Sequence, residues 1–409
     1  MNTTGPIEAC IEDGNNILVA PSTLHDDDVV RDFFGSVISP EVLASGSLDL
    51  AQKTVYLCGD ISGISGRQLD GAARVFVVRE LSHGFREDAG EAWECVGVGR
   101  VPVRVHGVGV YYRRFFALDG DHFGRISAEH EFQSLTESTK PGSAHRSGIY
   151  LTPVTQDGDE LHFRLLRCST NLSGPTEGFR PTDTGIVDAL NREAAGIFRG
   201  QAPLNHVLAQ IYRNTAATTE RKQSKAKISS HADKTKDMPA NGIMAFCTFY
   251  EGLDKLRPLG EDGFDYGVKG VSGLTRLQFR LKGPAEDHDA VALPAQFTVT
   301  LYPGSVFFMP LSTNRLYTHE IKPSALDAEL LPTRLGYVVR CSSAEAVHKD
   351  GETFLKGEGE LVKLGPATEE GMDELRGLYA EENRSSSFID YGDRFRFSMN
   401  AGDYRAPRI

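Results

Sequence analysis

The sequence predicts a mainly β, α+β protein whose core is an antiparallel sandwich or barrel. Three observations carry this. Seven β-patterned segments crowd between Lys225 and Cys341. Gly, Pro and acidic turns divide them. The helical patterns stand before and after this stretch and not between its strands, which argues against a parallel α/β sheet.

The chain has 409 residues, room for one large domain or two. Residues up to about 50 are mixed, with a short helix expected from the acidic cluster Asp26–Asp28. Lys53 to Phe116 is strand-like: Thr54–Cys58, Ala73–Val78 and Val101–Tyr112 are rich in β-branched and aromatic residues. Residues 117–148 are polar and read as loop, with Ser134–Ser147 its most flexible piece. Gly148–Val154 and Leu161–Arg167 read as a strand pair around the turn Gln156-Asp-Gly-Asp. A helix is predicted over Thr182–Phe198, after a Thr/Asp cap. Leu204–Tyr212 starts helix-like and ends strand-like. The seven core strands are then Lys225–Ser230, Gly242–Tyr250, Leu274–Leu281, Gln296–Tyr302, Ser305–Met309, Arg315–Ile321 and Arg334–Cys341. An amphipathic helix over Ala367–Glu382 precedes a polar, aromatic tail.

Composition narrows the function. The net charge is −12, so nucleic-acid binding would need a local basic patch. The six cysteines are scattered without a Cys-x-x-Cys pair, which suggests neither a zinc ribbon nor a disulfide framework. The N-terminus lacks a basic-then-apolar signal pattern, and no apolar run approaches the ~18 residues of a membrane helix. The expected location is cytoplasmic, with no membrane partner. Asn171-Leu-Ser is a glycosylation sequon only in a secreted chain, so it carries no weight here.

The chemistry concentrates at His231-Ala-Asp233. Side chains two residues apart on an extended segment point to the same side. An imidazole and a carboxylate so placed supply two ligands of a 2-His-1-carboxylate iron site. His-x-Asp occurs three times, at His25–Asp27, His231–Asp233 and His348–Asp350. His348 has no later histidine to close a triad. His25 lies in a helix-like stretch, where a two-residue spacing separates the faces. Only His231–Asp233 follows a β-patterned run and precedes a strand-borne histidine, His319. A strand with two arginines, Arg334 and Arg340, comes next. A planar, permanently charged guanidinium suits bidentate pairing with a carboxylate.

Three segments together resemble the Fe(II)/2-oxoglutarate-dependent oxygenases, and within them the AlkB-like group. They are His231-Ala-Asp233-Lys, then Pro303-Gly-Ser through Asn314-Arg-Leu-Tyr-Thr-His319, then Arg334-x5-Arg340. Gly304 is followed by Ser305 where the group has Asp. The resemblance covers roughly residues 205–345. It implies a double-stranded β-helix, or jelly roll, over residues 148–345. Residues 1–147 would form a β-rich region of unknown role, and 346–409 a C-terminal helix and tail. It implies His231, Asp233 and His319 as iron ligands, with 2-oxoglutarate and O2 as cosubstrates. Arg334 would bind the distal carboxylate of 2-oxoglutarate. Arg340 would lie near its C1 carboxylate or the substrate. The family's Asn-x-Tyr has its nearest counterpart in Gln210-Ile-Tyr212, a departure at Gln210. The acidic charge and the lack of a recognisable nucleotide lid favour a small-molecule, amino-acid-like substrate. The alternative is oxidative dealkylation of nucleic-acid bases, for which the basic run Arg213–Lys227 is the candidate contact.

Overall fold

A computed structural model describes residues 7–85, 93–136, 143–168, 172–283 and 293–409. Asn171 and the middle of the Ser134–Ser147 segment lie outside the described residues. The chain is mostly β, and the strands between His206 and Arg340 decide the architecture.

Eight core strands are divided between two antiparallel sheets. β15 (His206–Tyr212), β17 (Ile243–Glu251), β23 (Val306–Pro310) and β25 (Thr333–Arg340) lie in the larger sheet, in the order β15-β25-β17-β23. β16 (Ile228–His231), β21 (Arg276–Leu281), β22 (Gln296–Thr300) and β24 (Tyr317–Lys322) form the smaller one, in the order β16-β24-β21-β22. The two inner faces share one core. Met244, Phe246, Phe307 and Met309 from the larger sheet meet Leu277, Phe279, Val299 and Tyr317 from the smaller.

Side-chain alternation sorts each strand of the larger sheet onto two faces. On β25, Leu335, Tyr337 and Val339 pack outward, as do Val207, Ala209 and Ile211 on β15. They meet α3 (His122–Glu129) and α4 (Pro181–Ala194) through Phe123, Ile126, Ile186, Val187 and Leu190. The intervening residues Arg334, Gly336, Val338 and Arg340 therefore face inward, opposite Tyr212, Gln210, Leu208 and His206.

The larger sheet extends beyond the four core strands. β10 (Ser143–Thr152) pairs with β15, and it also carries β9 (Gln133–Thr136) and β13 (Glu177–Gly178). On the other side β8 (Gly109–Tyr112) pairs with β23, and β7 (Val103–Val105) with β8. The sheet thus crosses the division expected at residue 147, because β7, β8 and β9 belong to it. Residues 117–148, read as loop, hold α3, β9 and the start of β10. The signal overlooked there was Phe123 and Ile126, one helical turn apart and both buried.

Two further expectations change. The turn at Gln156 joins β11 (Thr155–Asp157) to β12 (Glu160–Leu165), not β10 to β12. β12 belongs to a separate sheet, β11-β12-β26-β27-β28, with β26 (Ala344–Lys349), β27 (Glu352–Lys356) and β28 (Leu361–Lys363). Leu204–Tyr212 is strand from His206 onward. The sequence between β17 and β21 forms a small sheet of β18 (Arg257–Leu259), β19 (Asp262–Val268) and β20 (Val271–Ser272).

The N-terminal region is β-rich but parallel. β2 (Asn16–Val19), β3 (Ser36–Ile38), β4 (Thr54–Asp60), β5 (Arg74–His83) and β6 (Glu94–Val96) are ordered β3-β2-β4-β5-β6. Short helices α1 (Asp28–Arg31) and α2 (Pro40–Ala44) connect its first strands. β4 reads Thr-Val-Tyr-Leu-Cys without alternation because both faces are buried. Leu43, Val55 and Leu57 pack on one face, while Tyr56, Cys58 and Phe76 on the other join the core between the two main sheets. A two-residue pair, β1 (Cys10–Ile11) with β14 (Phe198–Arg199), ties the N-terminus to the chain after α4. α6 (Glu369–Arg384) buries Leu375 and Tyr379 against Tyr391, Phe395 and Phe397 of the tail. Among the described residues no helix is long and apolar enough to cross a membrane.

Candidate metal centre

β16 and β24 are antiparallel neighbours, and their register sets His231 directly opposite His319. Their ring centroids lie 4.5 Å apart. Asp233 follows after the strand has ended. Its Oδ1 lies 3.5 Å from His231 Nε2 and 3.8 Å from His319 Nε2. Those separations are too long for good hydrogen bonds. They are what three groups show when they converge on a common point. Among the described residues this is one of two such groups of possible ligands, the other being Glu129, His130 and Asp183.

His231 Nδ1 lies 2.9 Å from the carbonyl of Ser229, which can only accept, so Nδ1 carries a hydrogen and Nε2 is the nitrogen turned towards Asp233. Burial pushes His319 down to about 3, so its ring stays neutral and able to ligate. Burial alone would raise Asp233. The guanidinium of Arg340, acting together with His231 and His319, offsets this and holds the carboxyl well below the usual range. Arg340 donates through Nε at 2.9 Å and Nη2 at 2.5 Å, both to Oδ2. One carboxylate oxygen is thus occupied by arginine while the other faces the two imidazoles. Arg340, expected beside the C1 carboxylate or the substrate, lines the same cavity and pairs its guanidinium with Asp233.

Arg334 is 4 % exposed, and its Nε and Nη2 find no hydrogen-bond partner among the described residues. A buried charge without a partner is costly. This one is packed flat over Tyr212, with its guanidinium carbon 4.0 Å from the ring centroid. Tyr212 in turn donates its hydroxyl to Gln210 Oε1 at 2.8 Å. Gly336 lies between Arg334 and Arg340 on the inner face. A Cβ there would fall 2.8 Å from Arg334 Nη1, so glycine leaves the guanidinium its place. Thr248, cross-strand from Gly336, has a buried hydroxyl that also lacks a partner.

These groups line one cavity of about 240 Å³. The structure brings His231, Asp233, His319, Arg334, Arg340, Tyr212 and Gln210 to it together. The donor set fits a divalent iron: two imidazole nitrogens and one carboxylate oxygen. The unpartnered guanidinium fits an anionic ligand. Sequence reasoning missed three contributors. Thr248 had one signal, a lone hydroxyl in the apolar run Ile243–Phe249. Asn314 clasps the backbone of Asp233, accepting its N–H at 2.9 Å and donating to its carbonyl at 2.8 Å. Asn383, which accepts from Ala232 N across 151 residues of sequence, had no signal at all.

No protein-family model matches this chain, and no curated protein matches it. Solved structures with a likeness include OsALKBH1, at 12 % identity over 57 % of this chain and 96 % of that one, with a TM-score of 0.32. A prolyl-4-hydroxylase from Pseudomonas putida matches at 11 % identity over 57 % and 90 %, with a TM-score of 0.30. SnoN, a non-heme alpha-ketoglutarate-dependent epimerase from nogalamycin biosynthesis, matches at 11 % identity over 56 % and 73 %, with a TM-score of 0.29. TM-scores near 0.3 carry no weight for a shared fold or activity. The geometry of the cavity stands on its own.

Proposed function

We propose that this protein is a non-haem Fe(II)- and 2-oxoglutarate-dependent dioxygenase acting on a small molecule, with the eight core strands forming a double-stranded β-helix. The observation that carries the reading is the meeting, in one cavity, of a 2-His-1-carboxylate set with a buried, unpartnered arginine. His231 Nε2, His319 Nε2 and Asp233 Oδ1 would hold Fe(II), leaving other positions on the metal open. Arg334 would take the distal carboxylate of 2-oxoglutarate, with Tyr212 holding its plane and Thr248 Oγ1 nearby as a further donor. When bound, iron and 2-oxoglutarate supply the oxidising power: O2 is reduced as the cosubstrate passes to succinate and CO2 and a substrate C–H bond is oxidised. Hydroxylation, desaturation and oxidative cyclisation all fall within that chemistry.

The chain's own residues set the conditions. Arg340 keeps Asp233 ionised and turns one oxygen towards the histidines. Burial keeps His319 unprotonated. The apolar walls limit water around the reacting atoms. Leu135, Tyr150, Leu172 and Leu208 line the cavity towards the β9–β10 edge. Arg146 lies on the same wall, cross-strand from Tyr212, and has no charged or hydrogen-bonding partner among the described residues. An apolar wall with one free guanidinium suits a small substrate bearing a carboxylate, as an amino-acid-like compound does. Nucleobase dealkylation would draw on the basic run Arg213–Lys227. There, Arg213 already donates to Ser147 Oγ at 2.9 Å and Lys225 to the Ser324 carbonyl at 3.0 Å.

The test is succinate formation by the iron-loaded protein in air. Asp233→Ala is expected to abolish turnover of 2-oxoglutarate while leaving the far-ultraviolet circular dichroism unchanged. Full turnover in that variant would refute the triad.

A further inference from the structure

The peptide between His231 and Asp233 has left the β16 sheet. The β16–β24 ladder ends at His231, so the N–H groups of Ala232 and Asp233 have no strand partner. Both are buried, and a buried N–H left unpaired is costly. Their partners come from elsewhere in the chain. Asn314, in α5 (Leu311–Leu316), accepts from Asp233. Asn383, in the last turn of α6, accepts from Ala232 at 2.6 Å through Oδ1. The Asn383 amide is itself oriented, because its Nδ2 donates to the Tyr379 carbonyl at 2.9 Å. One residue before it, Glu382 accepts from Thr235 Oγ1 at 2.5 Å and from Thr235 N at 3.2 Å. Buried Lys282 then joins the two helices, donating to the carbonyls of Asn314 at 2.9 Å and Glu382 at 2.7 Å.

We propose that α6 is a built-in part of the metal centre and that Asn383 is a positioning residue for it. The inference rests on the iron-site reading and deepens it. Asn383 touches neither iron nor substrate. It fixes the peptide that sets the angle between His231 and Asp233, as Asn314 fixes the other side of the same carboxylate's backbone. A ligand held this way reaches the metal without first losing backbone freedom. Outer groups that orient ligands characteristically contribute about 10–100-fold in metal affinity. α6 lies beyond the last core strand, so this support comes from outside the two sheets that supply the ligands.

The probe is Co(II), titrated anaerobically into the full chain and followed by its visible ligand-field bands. Wild type is expected to bind one Co(II), and His231→Ala to lose those bands. Asn383→Ala should bind about 10–100-fold more weakly, with shifted bands. Asn383→Asp, which keeps an acceptor oxygen in place, should recover most of that loss. Leu43→Ala removes a buried side chain packed on the N-terminal sheet, outside α6 and the cavity lining; it should lower the melting temperature and leave Co(II) affinity unchanged. Should Asn383→Ala fail to fold, Asn383→Leu compared with Asn383→Asp reads the same difference. Equal Co(II) affinity and identical bands with and without the Asn383 acceptor would overturn the proposal. So would a parallel loss of affinity in Leu43→Ala, since that marks general destabilisation. If wild type shows no Co(II) bands, or His231→Ala keeps them, the triad itself fails and this inference falls with it.

Discussion

Asp233 divides its two oxygens between an arginine and two histidines, and that division governs what substitutions nearby will do. Arg340→Gln leaves the buried carboxylate without its charge partner. Breaking a buried pair from one side costs about 3–5 kcal/mol. The expected result is a loss of that order in chemical denaturation, larger than for Arg340→Gln with Asp233→Asn in the same chain. An equal or greater loss in the double variant would remove the pair from the account. Arg334 makes a different prediction, because its partner is a ligand. Arg334→Lys keeps the charge and loses the planar fork, so the 2-oxoglutarate concentration for half-saturation should rise at least about tenfold. An unchanged requirement would take Arg334 out of the site. The residues that converge here were legible because motif spacing put them on strands that can meet. What Arg340 pairs with was not, since Asp233 lies 107 residues away and either role suits a guanidinium.

At the scale of elements, a buried histidine joins four of them. His130, just after α3, lies 2.9 Å from Glu177 of β13 through Nδ1 and 2.7 Å from Asp183 of α4 through Nε2. Asp183 also accepts from the Tyr337 hydroxyl of β25 at 2.7 Å. Burial alone would lower His130, but its two carboxylate bonds raise it to about 9. The folded value lies above the unfolded one of about 6.5. The stabilisation is therefore complete below about pH 6.5 and is lost as pH rises towards 9. Denaturation midpoints are expected to fall across that window, and His130→Gln should flatten the fall while lowering stability by about 3 kcal/mol. A slope that persists in His130→Gln would assign it elsewhere. None of this showed in the sequence, where His130 sits in a polar stretch that reads as loop. The β-hairpin at Gln156 shows the complementary limit. The turn signal was real, but it did not say which strand precedes the turn. The parallel N-terminal sheet was hidden likewise, since an apolar run buried on both faces has no period to read.

For the molecule as a whole, the two main sheets do not form a detachable core. β8 covers the edge of β23, and Val110 and Tyr112 are fully buried within the core behind the larger sheet. Tyr112 donates its hydroxyl to buried Glu193 of α4, which Arg74 of β5 also pairs at 2.8 Å. A fragment beginning at residue 148 would expose an unpaired strand edge and a large apolar face. It is expected to be insoluble or to lack a cooperative melting transition, whereas the full chain has one; a soluble, cooperatively folding fragment would contradict this. The antiparallel core and its helices before and after were legible from turn spacing and strand composition. Its integration with the first 112 residues was not, because strand pairing across about 200 residues leaves no local mark.

The central claim is that one cavity holds iron through His231, Asp233 and His319 and 2-oxoglutarate through Arg334. Its most direct test is anaerobic titration of the metal-free protein with Fe(II) and 2-oxoglutarate, watching for the weak visible charge-transfer band of the chelate. The account predicts that band in wild type, its loss in His231→Ala, and its appearance only at much higher 2-oxoglutarate in Arg334→Ala. A folded wild-type protein without the band, or a His231→Ala protein that keeps it, would contradict the account.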